Sequence, residues 1–261
     1  MTLAAKNHKI QIVADAEAMS RAAAETLIGH LSESLQTRDV YSIALSGGST
    51  PRRLYALLAG DPELRGQIPW DRVHFFWGDE RHVPPDHPES NYHMAFEAML
   101  SRVPIPADNI HRMRAENPDA DKAAGDYARE IRRFFDIATG EMPCFNCVLL
   151  GMGPDGHTAS LFPGSPALGE SNRLVMANWI DKFQSFRITL TVPVFNNADL
   201  ILLLVSGSQK ADTLKAVLED VRAPDRYPVQ RIQPKHGSML WFLDRPASKG
   251  LIVDRHGRQS D

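Results

Sequence analysis

Apolar residues along this chain follow two alternating rhythms. Short, nearly continuous apolar runs predict strands at His8–Val13, Val40–Leu45, Arg72–Trp77, around Cys147–Leu150, Leu174–Trp179, Arg187–Pro193, Leu200–Val205 and Met239–Leu243. Between them, apolar positions return every third or fourth residue. Met19, Ala23, Leu27, Leu31 and Leu35 mark a helix over Ala14–Leu35, and Leu54, Leu57 and Leu58 mark a second. A third runs from a cap at Ser90 or Asn91 to Leu100. Tyr127, Ile131 and Phe135 mark a fourth over Asp119–Ala138. Ala211, Leu214, Val217 and Leu218 mark a fifth. Apolar strands interleaved with amphipathic helices predict an α/β protein with a mostly parallel open sheet, helices on both faces. No Gly/Ser-rich linker or internal repeat interrupts the pattern, which predicts one domain over residues 1–261.

The polar interruptions carry the chemistry. The second strand stops at Ser46-Gly47-Gly48-Ser49-Thr50-Pro51, with Thr50 placed to cap a helix and Pro51 suited to its first turn. A glycine turn feeding a helix N-terminus offers free N–H groups and the positive end of a dipole, which suits a phosphate. The third strand ends in Gly78-Asp79-Glu80-Arg81-His82, a burst of charge of the kind that usually stays solvated, followed by a loop with three prolines. The Cys147 strand breaks into Gly151-Met152-Gly153-Pro154-Asp155-Gly156-His157, after which Thr158–Phe162 reads as the start of a short helix. Ser206 and Gln209 have the spacing of a capping box. Lys210 then falls in a first helical turn, where a cation is unfavourable unless an anion shares that helix end.

Composition narrows the function classes. The chain has 261 residues, 43% hydrophobic and 23% charged, with a formal net charge of −3. Nothing draws it as a whole to nucleic acid or acidic membranes. No apolar run is long enough to span a membrane and the N-terminus lacks a signal-peptide core, so a cytoplasmic protein is expected. Any anionic ligand must be held by a local cluster, and Arg81, Arg187 and Lys210 near the glycine turn are the candidates. Cys144 and Cys147 lead into a strand rather than a helix and lack a second pair, so they read as buried side chains. His82, His87 and His93 lack metal-ligand spacing. G-x-S-x-G does not occur, which disfavours a serine nucleophile. His157 beside Asp155 suits general-base work near neutral pH.

These motifs together resemble the 6-phosphogluconolactonase family. The resemblance is carried by Leu45–Pro51, Trp77–Arg81, Ser90-Asn91-Tyr92, Gly151–Gly164, Arg187–Leu190 and Ser206–Lys210, in order over most of the chain. It implies a Rossmann-like fold of the sugar-phosphate isomerase kind. It also implies hydrolysis of 6-phospho-D-glucono-1,5-lactone, a pentose phosphate pathway step, without metal or organic cofactor. In that reading Gly47, Gly48, Ser49 and Thr50 cradle the phosphate, with Arg81, Arg187 and Lys210 supplying charge. His157 activates a water, Asp155 orients His157 or holds substrate hydroxyls, and Asp79 and Asn91 contribute to the pocket. The expected partner is the small sugar-phosphate lactone alone, with no nucleic acid or membrane, for a monomer or small homo-oligomer. Glucosamine-6-phosphate isomerase/deaminase shares the glycine turn and the histidine loop. It places a carboxylate five residues after the histidine, where this chain has Phe162, and an aromatic where this chain has Arg81. A sugar-phosphate-binding regulator is the other alternative, and the first strand near His8 leaves no room before it for a helix-turn-helix.

Overall fold

The computed structural model describes residues 8–220 and 222–252. Six strands form one all-parallel sheet: β1 (His8–Val13), β2 (Tyr41–Leu45), β3 (Val73–Trp77), β5 (Cys147–Gly151), β8 (Leu200–Val205) and β9 (Ser238–Asp244), in the order β1-β9-β8-β5-β2-β3. Every residue of β2 and β8 is buried. Alternate side chains of a strand point to opposite faces, so both faces of these strands are covered. Around the sheet run α1 (Ala16–Ser34), α2 (Ser49–Gly60), α3 (Pro62–Gly66), α4 (Asn91–Ala98), α5 (Ala120–Phe135), α6 (Val192–Phe195) and α7 (Ala211–Glu219). The predicted parallel α/β architecture is the one observed. No helix among the described residues is long and apolar enough to cross a membrane.

The hydrophobic pattern gave no warning of a second sheet. β4 (Asp79–Arg81), β7 (Ser185–Leu190) and β6 (Val175–Ile180) form an antiparallel sheet in the order β4-β7-β6. The charged stretch after β3 is therefore not a solvated loop: Asp79 and Glu80 are buried. Glu80 explains how so polar a strand is tolerated. Its carboxylate accepts the backbone N–H groups of Arg81 and Asn91 (both 2.7 Å), the N–H of Tyr92 (2.8 Å) and the Ser90 hydroxyl (3.0 Å). Ser90 in turn caps α4 by accepting from the His93 N–H. A single buried acid thus gathers the unpaired donors at the start of α4 and ties them to β4. Burial pushes the Glu80 carboxyl above its ordinary range, against the pull of these four hydrogen bonds.

Three local expectations are corrected. Thr50 does not cap α2; Gly48 does, at φ 103°, and the helix begins at Ser49. Thr158–Phe162 is not helical. Ala159 lies at φ 47° and the Thr158 hydroxyl donates back to the Gly151 carbonyl (2.7 Å), so the segment folds as a tight turn. Ser206 makes no capping box, because its hydroxyl donates to Asp244 at the end of β9. The Arg187–Pro193 run splits into β7 and α6. Most of the expected polar tail, from residue 253 on, lies outside the described residues.

Glu80→Gln turns an amide NH₂ toward donors that now meet an acceptor, leaving at least one buried N–H unpaired. The expected outcome is a loss of about 2–3 kcal/mol in urea unfolding. An unchanged midpoint would show that Glu80 does not hold β4 to α4.

Candidate active site

The loops that leave the sheet at the carboxyl ends of β2, β5 and β8 meet in one place. From β2 the chain moves outward to β3, and from β5 it moves the opposite way to β8. The reversal lies between β2 and β5, where open α/β sheets leave a crevice. A cavity of about 250 Å³ occupies it. It is lined by the Ser46–Pro51 turn, Gly151–Pro154, His157, Ala159, Leu204, Lys210, Asp79, Arg81 and Asn91. A wider cleft of about 460 Å³ lies beside His111, but its charges are largely engaged with one another: Arg112 with Glu116, Arg129 with Asp126, His111 with Glu130. Another, of about 700 Å³, runs between α5 and β6 and holds no histidine.

Each wall of the small cavity is fixed from behind. The Tyr55 hydroxyl accepts the Ser46 N–H and donates to the Ser46 carbonyl, both at 2.9 Å, clamping the end of β2. Tyr127 does the same for Trp77 at the end of β3. Asp244 accepts from the Ser206 hydroxyl and the Gly207 N–H, clamping the end of β8. After the β2 clamp, the first residues of α2 have no intrahelical acceptor for their N–H groups, and this N-terminus faces the cavity. Gly47 lies directly under the Asn91 side chain. A Cβ there would stand 1.8 Å from Asn91 Oδ1. Asn91 itself is buried and donates to the Asp79 carbonyl (2.8 Å) and to Asp79 Oδ1 (3.3 Å). The other Asp79 oxygen accepts the Ser160 hydroxyl at 2.6 Å.

The charge of the cavity is lopsided. Arg81, Arg187 and Lys210 form no ion pair among the described residues. Arg81 and Arg187 are register partners on β4 and β7. Burial pulls the Arg187 guanidinium below its ordinary range and the nearby charge of Arg81 lowers it further. Burial likewise lowers the Lys210 ammonium, only partly opposed by Asp244. Arg187 is not among the residues that line the cavity; it stands behind Arg81. Half-buried cations without ion-pair partners beside an uncapped helix N-terminus are the kind of arrangement that suits an anion.

Opposite that cluster sits the titratable pair. His157 Nδ1 donates to Asp155 Oδ1, which also accepts the His157 backbone N–H at 3.2 Å. Burial alone would raise the Asp155 carboxyl, but the hydrogen bonds and charge of His157 prevail and hold it at about 2. An ionised acceptor at Nδ1 keeps the imidazole proton on that nitrogen, so Nε2 carries the free lone pair. The imidazole rests against the ring of Phe162, centroids 4.1 Å apart and planes at 26°. The loop is pinned at its back, where the Thr213 hydroxyl donates to the Pro154 carbonyl (2.6 Å) and the Val229 N–H to the Gly156 carbonyl (2.9 Å). Among the described residues no three His, Cys, Asp or Glu side chains converge to hold a metal.

Of the candidate residues, Gly47, Gly48, Ser49, Thr50, Asp79, Arg81, Asn91, His157 and Lys210 line the cavity, whereas Asp155 and Arg187 do not: Asp155 meets His157 and Arg187 is the register partner of Arg81. Sequence reasoning missed Glu80, Ser160, Tyr55, Tyr127 and Asp244, which position the others. Their only sequence signals were a polar residue next to a strand end or a tyrosine on an apolar helix face.

This is an open α/β protein with a histidine–aspartate pair and a corner of unpaired cations at its switch point. A family model described as glucosamine-6-phosphate isomerases/6-phosphogluconolactonase matches residues 14–241, and the chain belongs to that family. It is 41% identical over 221 residues to a 6-phosphogluconolactonase of Synechocystis sp., covering 85% of this chain and 89% of that one. A Nostoc sp. 6-phosphogluconolactonase is 39% identical over 94% of this chain and 98% of its own length. The solved 6-phosphogluconolactonase from Trypanosoma cruzi superposes with a TM-score of 0.80 at 32% identity, over 94% of this chain and 97% of that one. A monomeric glucosamine-6-phosphate deaminase superposes at 0.76 with 18% identity, which shows a shared fold alone.

Gly47→Ala forces Asn91 off Asp79. Displacing a site wall by about an ångström is expected to cost on the order of 10²-fold in kcat/KM with the fold intact, read by steady-state kinetics alongside circular dichroism. A fully active variant would show that Asn91 need not occupy this position.

Proposed function

We propose that the chain hydrolyses 6-phospho-D-glucono-1,5-lactone to 6-phosphogluconate and that His157 activates the attacking water. One observation carries the assignment of the base: the Nδ1–H of His157 is committed to an ionised Asp155, and the residue lines the cavity opposite the uncompensated cations. A volume near 250 Å³ suits a metabolite smaller than a drug-sized ligand. The phosphate sits at the α2 N-terminus, against Gly47, Gly48, Ser49 and Thr50, with Lys210 and Arg81 beside it and Arg187 behind. The lactone carbonyl then lies toward His157.

His157 Nε2 takes a proton from water as the oxygen attacks the lactone carbon. The developing oxyanion needs donors aimed at it, and the N–H groups of the Gly151–His157 loop are the nearest set. As the intermediate collapses, the bond from the carbonyl carbon to the ring oxygen breaks. Protonated His157 returns the proton to that oxygen, leaving a hydroxyl and a carboxylic acid whose own proton is released to solvent as it becomes the carboxylate. Asp155 holds the imidazole in the correct tautomer and stabilises the imidazolium. Asp79 and Asn91, locked to each other and to Ser160, present fixed groups to the sugar hydroxyls. The relatives of about 40% identity named for lactone hydrolysis support this reading over the isomerase. So does Phe162, whose ring fills the place next to His157 and can carry no proton.

The test follows proton release in weak buffer with the lactone generated in situ from glucose 6-phosphate. His157→Ala is expected to lose on the order of 10²–10⁴ in kcat. Asp155→Asn is expected to lose up to a similar factor with KM little changed, because the amide turns the imidazole to the wrong tautomer. Wild-type acceleration that survives in His157→Ala would move the base elsewhere, and no wild-type acceleration would overturn the lactonase. Lys210→Met is expected to raise KM roughly tenfold or more, about 1.4 kcal/mol of phosphate binding, with a smaller effect on kcat. An unchanged KM would place the phosphate away from Lys210.

A further inference from the structure

The imidazole of His157 is held on more than its hydrogen-bonding edge. The Phe162 ring covers one side at a near-parallel 26°, and Phe162 itself is buried. Gly153 closes against the ring as well: a Cβ at that position would lie 2.1 Å from His157 Cε1. Phe162 is backed in turn by Phe183, which meets it edge-on at 5.7 Å from the turn between β6 and β7. Phe183 is 44% exposed, so this support comes from the rim of the site rather than its core.

We infer that Phe162 is a positioning residue whose aromatic face stabilises the protonated form of His157 during hydrolysis; the inference rests on the lactonase reading with His157 as base. A phenyl face carries negative quadrupole charge, and a cation stacked on it within about 6 Å is stabilised. A neutral imidazole gains much less from the same ring. The imidazolium exists only after the water has surrendered its proton, so the contact is stronger at the transition state than in the resting enzyme. That difference accelerates the chemical step. Phe162 and Asp155 divide the work, one acting on the ring's face and the other on its edge.

The charges around His157 set the background against which Phe162 acts. Asp155 is on the same loop. Lys182, from the β6–β7 turn, lies 3.8 Å from the other Asp155 oxygen. Asp79, Arg81 and Lys210 share the cavity, and Arg187 lies over the outer Phe183 ring at 5.1 Å. None of these is altered by a change at Phe162, so a shift in the pH profile of a Phe162 variant reports on the ring.

The experiment replaces Phe162 with Leu, with Tyr, and with pentafluorophenylalanine, which keeps the ring's shape but reverses its facial charge. Wild type and variants are compared in kcat, KM and the acid limb of the kcat/KM–pH profile, with urea midpoints measured alongside. The Leu and fluorinated forms are expected to lose about two- to thirtyfold in kcat. KM is expected to stay within twofold, and the acid limb to move to lower pH by up to about one unit. Phe162→Tyr is expected to restore the wild-type limb. A fluorinated enzyme with the wild-type limb and kcat would overturn the inference. So would a Leu variant in which stability and KM worsen while the limb stays in place. If Leu does not fold, the fluorinated form, which is nearly isosteric, decides alone. Failure of the lactonase reading shows separately, as activity that is absent in wild type or retained in His157→Ala.

Discussion

Parallel strands that all end at one edge leave their last backbone groups without ladder partners, and the site is assembled from the answers to that one deficit. Tyr55 satisfies both backbone groups of Ser46, Tyr127 those of Trp77, and Asp244 the turn that follows β8. Glu80 does the same for the start of α4. Each partner is a buried side chain, near in sequence for Tyr55 and Glu80 and distant for Tyr127 and Asp244, so each turn is held by packed side chains as well as by its own sequence. At the start of α2 no side chain caps the helix, and that end faces the cavity.

Acids and bases are treated differently at this edge. Every carboxylate near the cavity is engaged: Asp79 with Ser160 and Asn91, Asp155 with His157, Asp244 with the β8 turn, Glu80 with α4. The cations Arg81, Arg187 and Lys210 form no ion pair among the described residues. This separation places unpaired positive charge at one corner without a strongly basic protein. His157, which lines the same cavity, is held on its edge by Asp155 and on its face by Phe162.

The parallel sheet was legible in the sequence because its strands are nearly pure apolar runs such as Leu200–Val205, which fit little else. The glycine turns were legible because Gly47 and Gly48 satisfy a close approach and a positive φ that other residues resist. The small antiparallel sheet was legible only in part: β6 and β7 fall on predicted strands, but β4 does not. It is Asp-Glu-Arg, and the burial of Glu80 depends on donors supplied from Ser90–Tyr92. The Thr158–Phe162 segment has helix-compatible residues, but Thr158 bonds backwards to Gly151 and Ala159 adopts a left-handed conformation. Ser206 and Gln209 have capping spacing, yet Asp244, 38 residues away, captures the Ser206 hydroxyl. In each case a long-range polar partner overrode a local pattern, and local patterns hold no record of such partners.

Arg81 and Arg187 are register partners across β4 and β7, and, burial aside, the charge of Arg81 lowers the Arg187 guanidinium more than any one nearby carboxylate raises it, while Lys210 is half-buried without an ion-pair partner. These like charges repel one another, and a dianion bound beside them would remove that repulsion. Ligand and fold are linked: a metabolite at a hundred times its dissociation constant adds about 2.7 kcal/mol to stability. Stability in a dilute buffer would then understate stability with such an anion bound, and the lifetime of the protein would follow the supply of its ligand.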